Sequence, residues 1–183
     1  MNKEKFTEKS FFAGFGGQGI ISLGQIWAYF AMKEGKNVTC FPFYGAEKRG
    51  GIARTGVIIS DEEIDSPLVT TPDSVLVMNL DSLPLCTGMV KTNGLMLINS
   101  TLVKNEPERK DIKISKVEAT ILAEKIGDIR IANMVALGAL AKITGALSLN
   151  DIEGILKTFF PPDKHGFIGM NSDAIRAGYE NVL

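Results

Sequence analysis

Histidine and cysteine are nearly absent from this chain of 183 residues, which has one histidine, His165, and two cysteines, Cys40 and Cys86. A single imidazole excludes a histidine-rich metal centre and most Ser-His-Asp arrangements built within one chain. Two distant cysteines with no CxxC pair supply neither an iron–sulfur cluster nor a structural zinc without other ligands. Surplus charge is missing as well: 20 Lys+Arg stand against 21 Asp+Glu, a formal net charge of -1. That balance excludes a broad electrostatic footprint for nucleic acid or an anionic membrane, and leaves room only for a local basic patch. The apolar stretch Ile20–Met32 is broken by Ser22 and Gln25 and falls short of the ~20 residues that cross a bilayer. The opening MNKEKFTEKS is charged and does not read as a signal peptide. The expectation is a cytoplasmic protein with reduced thiols and neither nucleic acid nor membrane as a partner.

What is present is an ordinary globular composition, 45% hydrophobic and 22% charged, over a length suited to one domain spanning residues 1–183. Ser10–Ala13 reads as a buried strand entering the cluster Gly14-Phe15-Gly16-Gly17-Gln18-Gly19. Ile20, Leu23, Ile26, Trp27 and Phe30 then recur at helical spacing, and Gly35 sits where a C-cap is expected. Asn37–Phe43 is β-branched and aromatic, a second strand, so the chain opens as a βαβ unit. Arg54–Ser60 follows the loop Tyr44–Gly51 with no helix between, too soon for a parallel crossover. This strand is expected to be antiparallel to its predecessor or displaced to an edge.

Further strands are expected at Ser74–Met78, Gly94–Asn99 and Asp111–Ser115, with a short helix at Asp81–Val90. Beyond Lys116 the spacing predicts helices over Glu118–Ile126, Ile131–Thr144 and Asn150–Phe159, with Gly127 and Gly145 as stops and Pro161-Pro162 ending the third. A last helix over Asn171–Leu183 is interrupted by Gly178. The fold class is α/β: a single Rossmann-like domain with a mostly parallel, partly mixed sheet flanked by helices, and a helical C-terminal third.

Gly14, Gly16 and Gly19 satisfy GxGxxG between a strand and a helix. Such a turn either brings backbone N–H groups and a helix N-terminus to a phosphate, or simply closes a tight strand–helix connection. A dinucleotide site would also need an acid ending the second strand, and Val38-Thr39-Cys40-Phe41-Pro42-Phe43 has none. Glu34 precedes that strand and would point elsewhere, so NAD(P) is disfavoured. In Tyr44-Gly45-Ala46-Glu47-Lys48-Arg49-Gly50-Gly51, Glu47 is an acid, base or ion-pair candidate, and Arg49 with Arg54 nearby is a clamp for carboxylate or phosphate. The competing reading is a solvated loop with weakly paired charges. Cys40 reads as a small core residue, His165 as a solvated loop residue, and Met78, Met89, Met96 and Met134 as packing. Asn133 either bonds backbone near its helix end or faces the glycine loop. No nucleophile–base pair emerges.

GFGGQG after the first strand, then YGAEKRGG after the second, resembles the gamma subunit of 2-oxoacid:ferredoxin oxidoreductases. The resemblance continues in Ile58–Ile64, Asn133–Leu140 and Asn171–Tyr179, and so covers nearly the whole chain. It implies part of an enzyme. Complexes of this family decarboxylate a 2-oxoacid on thiamine diphosphate, pass electrons through iron–sulfur clusters to ferredoxin, and release an acyl-CoA. The resemblance puts the thiamine diphosphate and its magnesium on alpha and beta partners and the clusters on a delta partner, in keeping with the absence here of a cluster cysteine set or a GDG…N run. It leaves this chain without a catalytic residue, a metal ligand or a cofactor held alone; the glutamate that activates thiamine belongs to another chain, so Glu47 is not given that role. Gly14, Gly16, Gly17, Gln18, Gly19 and Arg49 are then candidates to contact CoA phosphate or the active site. Tyr44, Gly45, Glu47, Gly50, Gly51 and Asn133 are interface candidates. Two other readings stay open: a stand-alone nucleotide-dependent oxidoreductase, and a purely structural scaffold.

Overall fold

β1 (Thr7–Phe15) lies inside a sheet whose strand order is β2-β3-β1-β4-β5-β6, with β2 at Asn37–Phe43, β3 at Ile52–Ser60, β4 at Ser74–Val77, β5 at Leu95–Asn99 and β6 at Lys113–Val117. The computed structural model describes residues 5–43 and 51–183. β1, β4, β5 and β6 pair parallel to one another, while β3 runs antiparallel to both β1 and β2. The expected mixed sheet is therefore observed, with one correction to its layout. β2 does not lie beside β1: β3 is inserted between them, and β2 rather than β3 takes the edge. The short β2–β3 connection forces antiparallel pairing, and Pro42, which has no N–H to donate, is tolerated because β2 needs hydrogen bonds on one side only. At the other margin, β6 begins two residues later than its apolar alternation suggests, and Leu183 exchanges both backbone hydrogen bonds with Lys116 beside it.

Alternation along the strands divides the core in two. On one face Phe12, Ile59, Leu76, Met78 and Leu97 pack under α1 (Ile20–Lys33), α3 (Ala119–Ile126) and α4 (Ala132–Thr144). On the other face Phe11, Ile58, Val75, Val77, Met96 and Ile98 are covered by the short α2 (Leu83–Met89) and by Val69 and Val103 from irregular chain. α5 (Ile152–Phe159) and α6 (Ile168–Glu180) complete the helical layer.

Every residue of α4 from Ala132 to Ala141 is buried, which marks a helix enclosed on all sides rather than amphipathic. Its outer neighbour is α6, and here the expectation about Gly178 fails. The helix runs through it without a break, because a Cβ on Gly178 would lie 1.8 Å from the Val135 carbonyl oxygen and a Cβ on Gly138 would lie 1.8 Å from that of Ile175. The two glycines let the backbones of α4 and α6 touch. Gly127 and Gly145 do end α3 and α4, both at positive φ.

Candidate functional site

The carboxyl ends of β1 and β2 and the start of β3 share one margin of the sheet, with Phe15 opposite Ile52 and Phe43 opposite Arg54. Both sequence motifs meet there. The N–H of Gly16 donates to the carbonyl oxygen of Gly51 at 3.1 Å, tying the glycine turn to the end of the second motif. Tyr44, Gly45, Glu47, Arg49 and Gly50 lie outside the described residues.

Most of the turn is committed to the fold. The Gln18 side chain bridges inward: its Oε1 accepts from the Phe15 N–H at 2.7 Å, and its Nε2 donates to the Met78 carbonyl at 3.3 Å, linking the ends of β1 and β4. A Cβ on Gly14 would meet that same Oε1 at 2.6 Å and Met78 Cβ at 2.9 Å. Gly19, the αL residue before α1, would meet Asn133 Nδ2 at 2.4 Å. Gly17 differs. It sits at φ +105° with nothing within 4 Å of a Cβ built there, so its face of the turn is open. The N–H groups of Gly17, Gly19, Ile20 and Ile21 have no partner among the described residues, and the first turn of α1 carries no acid. Unpaired donors at the positive end of a 14-residue helix suit an anion, though Ile20 is 1% exposed and its N–H is covered.

Asn133 does both of the things expected of it. It is 7% exposed in the first turn of α4, its Nδ2 donates to the Gly19 carbonyl at 3.2 Å, and its Oδ1 accepts from the Met134 N–H at 3.0 Å. Beside it opens a cavity of about 310 Å³ lined by Ser22, Ile26, Arg130, Asn133, Lys164 and Asn171, where the N-terminal ends of α1, α4 and α6 approach one another. Arg130 forks onto Asp128 through Nε and Nη2, and that hydrogen bonding holds the Asp128 carboxyl below its usual range. Arg130 and Lys164 were not singled out in the sequence. The signal was their position: each is a cation placed just ahead of a helix start, against the helix dipole.

The remaining candidates take structural roles. His165 is not a free loop residue: it lies in a 3-10 turn over Pro162–Phe167, with Nε2 3.0 Å from the Phe160 carbonyl oxygen. Cys40 is half-buried against the core, and burial raises its thiol pKa; burial pushes Cys86 up to about 12, away from nucleophilic chemistry. Glu34 does point elsewhere, accepting from both the N–H and the hydroxyl of Ser148. Among the described residues no three His, Cys, Asp or Glu side chains cluster to hold a metal ion, and no helix is long and apolar enough to cross a membrane. The place beside β1 where a dinucleotide fold has its acid-ending parallel strand is occupied by antiparallel β3, which presents its amino end there.

A family model described as pyruvate ferredoxin/flavodoxin oxidoreductase matches residues 9–181. The ketoisovalerate oxidoreductase subunit VorA of Methanothermobacter thermautotrophicus is 37% identical over 170 residues, which is 92% of this chain and 35% of that protein. The crystal structure of the keto/oxoacid ferredoxin oxidoreductase gamma subunit from Geobacter sulfurreducens superposes with a TM-score of 0.81 at 30% identity, covering 94% of this chain and 96% of that one. The 2-oxoglutarate:ferredoxin oxidoreductase of Magnetococcus marinus, solved with 2-oxoglutarate, coenzyme A and succinyl-CoA bound, gives a TM-score of 0.86 at 25% identity over 97% of this chain. This chain spans about a third of the length of VorA and of the Magnetococcus chain, and nearly all of the Geobacter subunit.

Proposed function

Since the chain belongs to the pyruvate ferredoxin/flavodoxin oxidoreductase family, as a gamma subunit of a 2-oxoacid:ferredoxin oxidoreductase, we propose that it is the non-catalytic chain that helps shape the CoA entry region of a larger cytoplasmic enzyme. That enzyme oxidatively decarboxylates a 2-oxoacid to an acyl-CoA and reduces ferredoxin. Thiamine diphosphate with its magnesium lies on alpha and beta partners, and the iron–sulfur clusters on a delta partner. CoA, when bound, supplies the thiol that takes up the acyl group.

The residues here fit its phosphates rather than its thiol. The unpaired N–H groups of Gly17, Gly19 and Ile21 would donate to phosphate oxygens, and Arg49 would add charge. One observation carries the reading: the Gly16–Gly51 hydrogen bond brings the two motifs to one margin, with the open side of Gly17 beside it. Gly51 and Asn133, with Tyr44, Gly45, Glu47 and Gly50, would serve the contact with partner subunits. A stand-alone NAD(P)-dependent oxidoreductase fits less well, because antiparallel β3 displaces the strand that a ribose-binding acid would end.

The test begins with anaerobic purification of the tagged chain from its own cell, identification of the chains that come with it, and an assay of 2-oxoacid- and CoA-dependent viologen reduction. In the assembled complex, Arg49→Ala and Gly17→Leu are expected to raise the apparent KM for CoA with little change in that for the 2-oxoacid. An unchanged KM for CoA with assembly intact overturns the CoA assignment and leaves a scaffold.

A further inference from the structure

The cavity at the starts of α1, α4 and α6 has mostly apolar walls, formed by Ile26, Met134, Phe160 and Phe167. The apolar surface continues past its mouth: Phe167 is 51% exposed, and Ile129, next in sequence to the lining residue Arg130, is 58% exposed. Large hydrocarbon groups left in solvent around a cavity mark a protein contact. In VorA and in the Magnetococcus chain the matching region is about a third of a longer polypeptide, so there the domain has other protein attached to it.

The polar groups of the lining state what would fill it. Asn171 is 8% exposed, and its Nδ2 donates to the Phe167 carbonyl at 2.7 Å, which fixes the orientation of the amide. Its Oδ1 has no partner among the described residues and, unlike that of Asn99, is not sealed from the surface. A buried acceptor is satisfied by an N–H or O–H donor. At the rim, Lys164 makes no ion pair among the described residues. Arg130 commits Nε and Nη2 to Asp128, the one acid of the lining, and leaves Nη1 free. Two cations against one acid, beside the positive ends of three helices, call for a carboxylate. A flat apolar body with one donor at its tip is the side chain of tyrosine or tryptophan, and both anchor interface pockets.

We propose that this cavity is the socket for a partner subunit of the complex. A tyrosine or tryptophan of that subunit enters it and donates to Asn171 Oδ1, while an adjoining Asp or Glu pairs with Lys164 and Arg130. The proposal rests on the multisubunit reading above and is independent of the CoA assignment.

The photo-cross-linker p-benzoylphenylalanine replaces Phe167 in the full tagged chain in its own cell, and replaces Met32, exposed at the far end of α1, as the control. Irradiation is expected to join the Phe167 position, and not the Met32 position, to a co-purifying subunit, at a peptide where Tyr or Trp adjoins Asp or Glu. Ser22→Trp fills the cavity from an exposed position, and Lys164→Glu reverses the charge at its rim. Each is expected to cut the co-purified partner at least about tenfold, with Lys164→Arg restoring it and the Tm of the chain unchanged. Parent levels of partner in either variant overturn the proposal. So does a cross-linked partner peptide without the aromatic–acid pair, or a cross-link to Tyr179 or Glu180 of a second copy, which carry the same two groups. No cross-link while partners co-purify overturns the socket alone; no cross-link and no partners overturn it together with the multisubunit reading. A raised KM for CoA from Lys164→Glu in a complex of parent composition gives the cavity to CoA instead.

Discussion

Asn133 and Gly19, 114 residues apart in sequence, are joined by a hydrogen bond from the amide Nδ2 to the glycine carbonyl, and the same nitrogen occupies the space a Cβ on Gly19 would need. The first turn of α4 is thereby fitted to the first turn of α1. The glycine motif therefore has a packing reason at its third glycine that is separate from any ligand.

That fit predicts non-additive mutants. Gly19→Ala places a side chain at φ +70° and against Asn133, and is expected to cost about 1–3 kcal/mol of stability. Asn133→Ala alone removes two hydrogen bonds, about 1–2 kcal/mol: the Gly19 carbonyl keeps the Leu23 N–H, while the Met134 N–H loses the Asn133 Oδ1. The double variant should lose less than the sum, the collision having been removed with the amide. Urea unfolding of the four proteins checks this, and strict additivity would refute the contact.

A similar experiment addresses the crossing of α4 and α6. Alanine normally favours a helix interior over glycine by about 1 kcal/mol. At Gly138 and Gly178 a Cβ would lie 1.8 Å from backbone oxygen, which no side-chain rearrangement can relieve. Each Gly→Ala change is therefore expected to destabilise by about 3 kcal/mol or more, seen as a lower Tm in calorimetry.

At the opposite margin of the sheet from the glycine turn, Glu8 accepts hydrogen bonds from Ser74 at 2.5 Å and Ser10 at 3.3 Å. Burial, with a smaller contribution from the charge of Asp73, raises its pKa from 4.5 to about 7. The folded chain then holds a proton there that the unfolded chain has lost, so this group's contribution to stability falls as pH rises from about 4.5 to about 7 and is constant above. The full effect is at most about 3 kcal/mol. Glu8→Gln should flatten that slope and leave the protein relatively more stable at pH 8, measured by unfolding midpoints across the range.

Gly17 and Gly35, which like Gly145 have positive φ and nothing within 4 Å of a built Cβ, separate backbone strain from ligand contact. Alanine at either position is strained in its backbone, each change costing on the order of 1 kcal/mol. In the assembled enzyme only Gly17→Ala is expected to raise the KM for CoA, with Gly35→Ala matching the parent. Equal effects from both would assign the change to stability rather than to a ligand.

Local signals in the sequence carried far into the fold. The strand–turn–helix around Gly14–Gly19 and the stops at Gly127 and Gly145 depend on residues close in the chain or on backbone geometry that only glycine tolerates. What was not legible depended on partners distant in sequence. Arg54–Ser60 reads as a strand, but its place between β1 and β2 is decided by which edges find each other. Gly178 reads as a helix breaker because propensity weighs a residue alone, whereas its value lies in the α4 backbone it touches. The cavity at Arg130 and Lys164 likewise exists only once three helix starts are brought together.

The central position of β1 has a consequence for the timing of folding. Its hydrogen bonds on one side go to Ile52–Ser60 and on the other to Ser74–Val77. A chain emerging from the ribosome has made Phe11 and Phe12 long before either neighbour exists, and β1 has no strand to pair with until Ser60 has been made and is flanked on both sides only once Val77 has been made. The first strand synthesised is thus a segment that needs shelter during translation, by α1 folding back over it or by a chaperone.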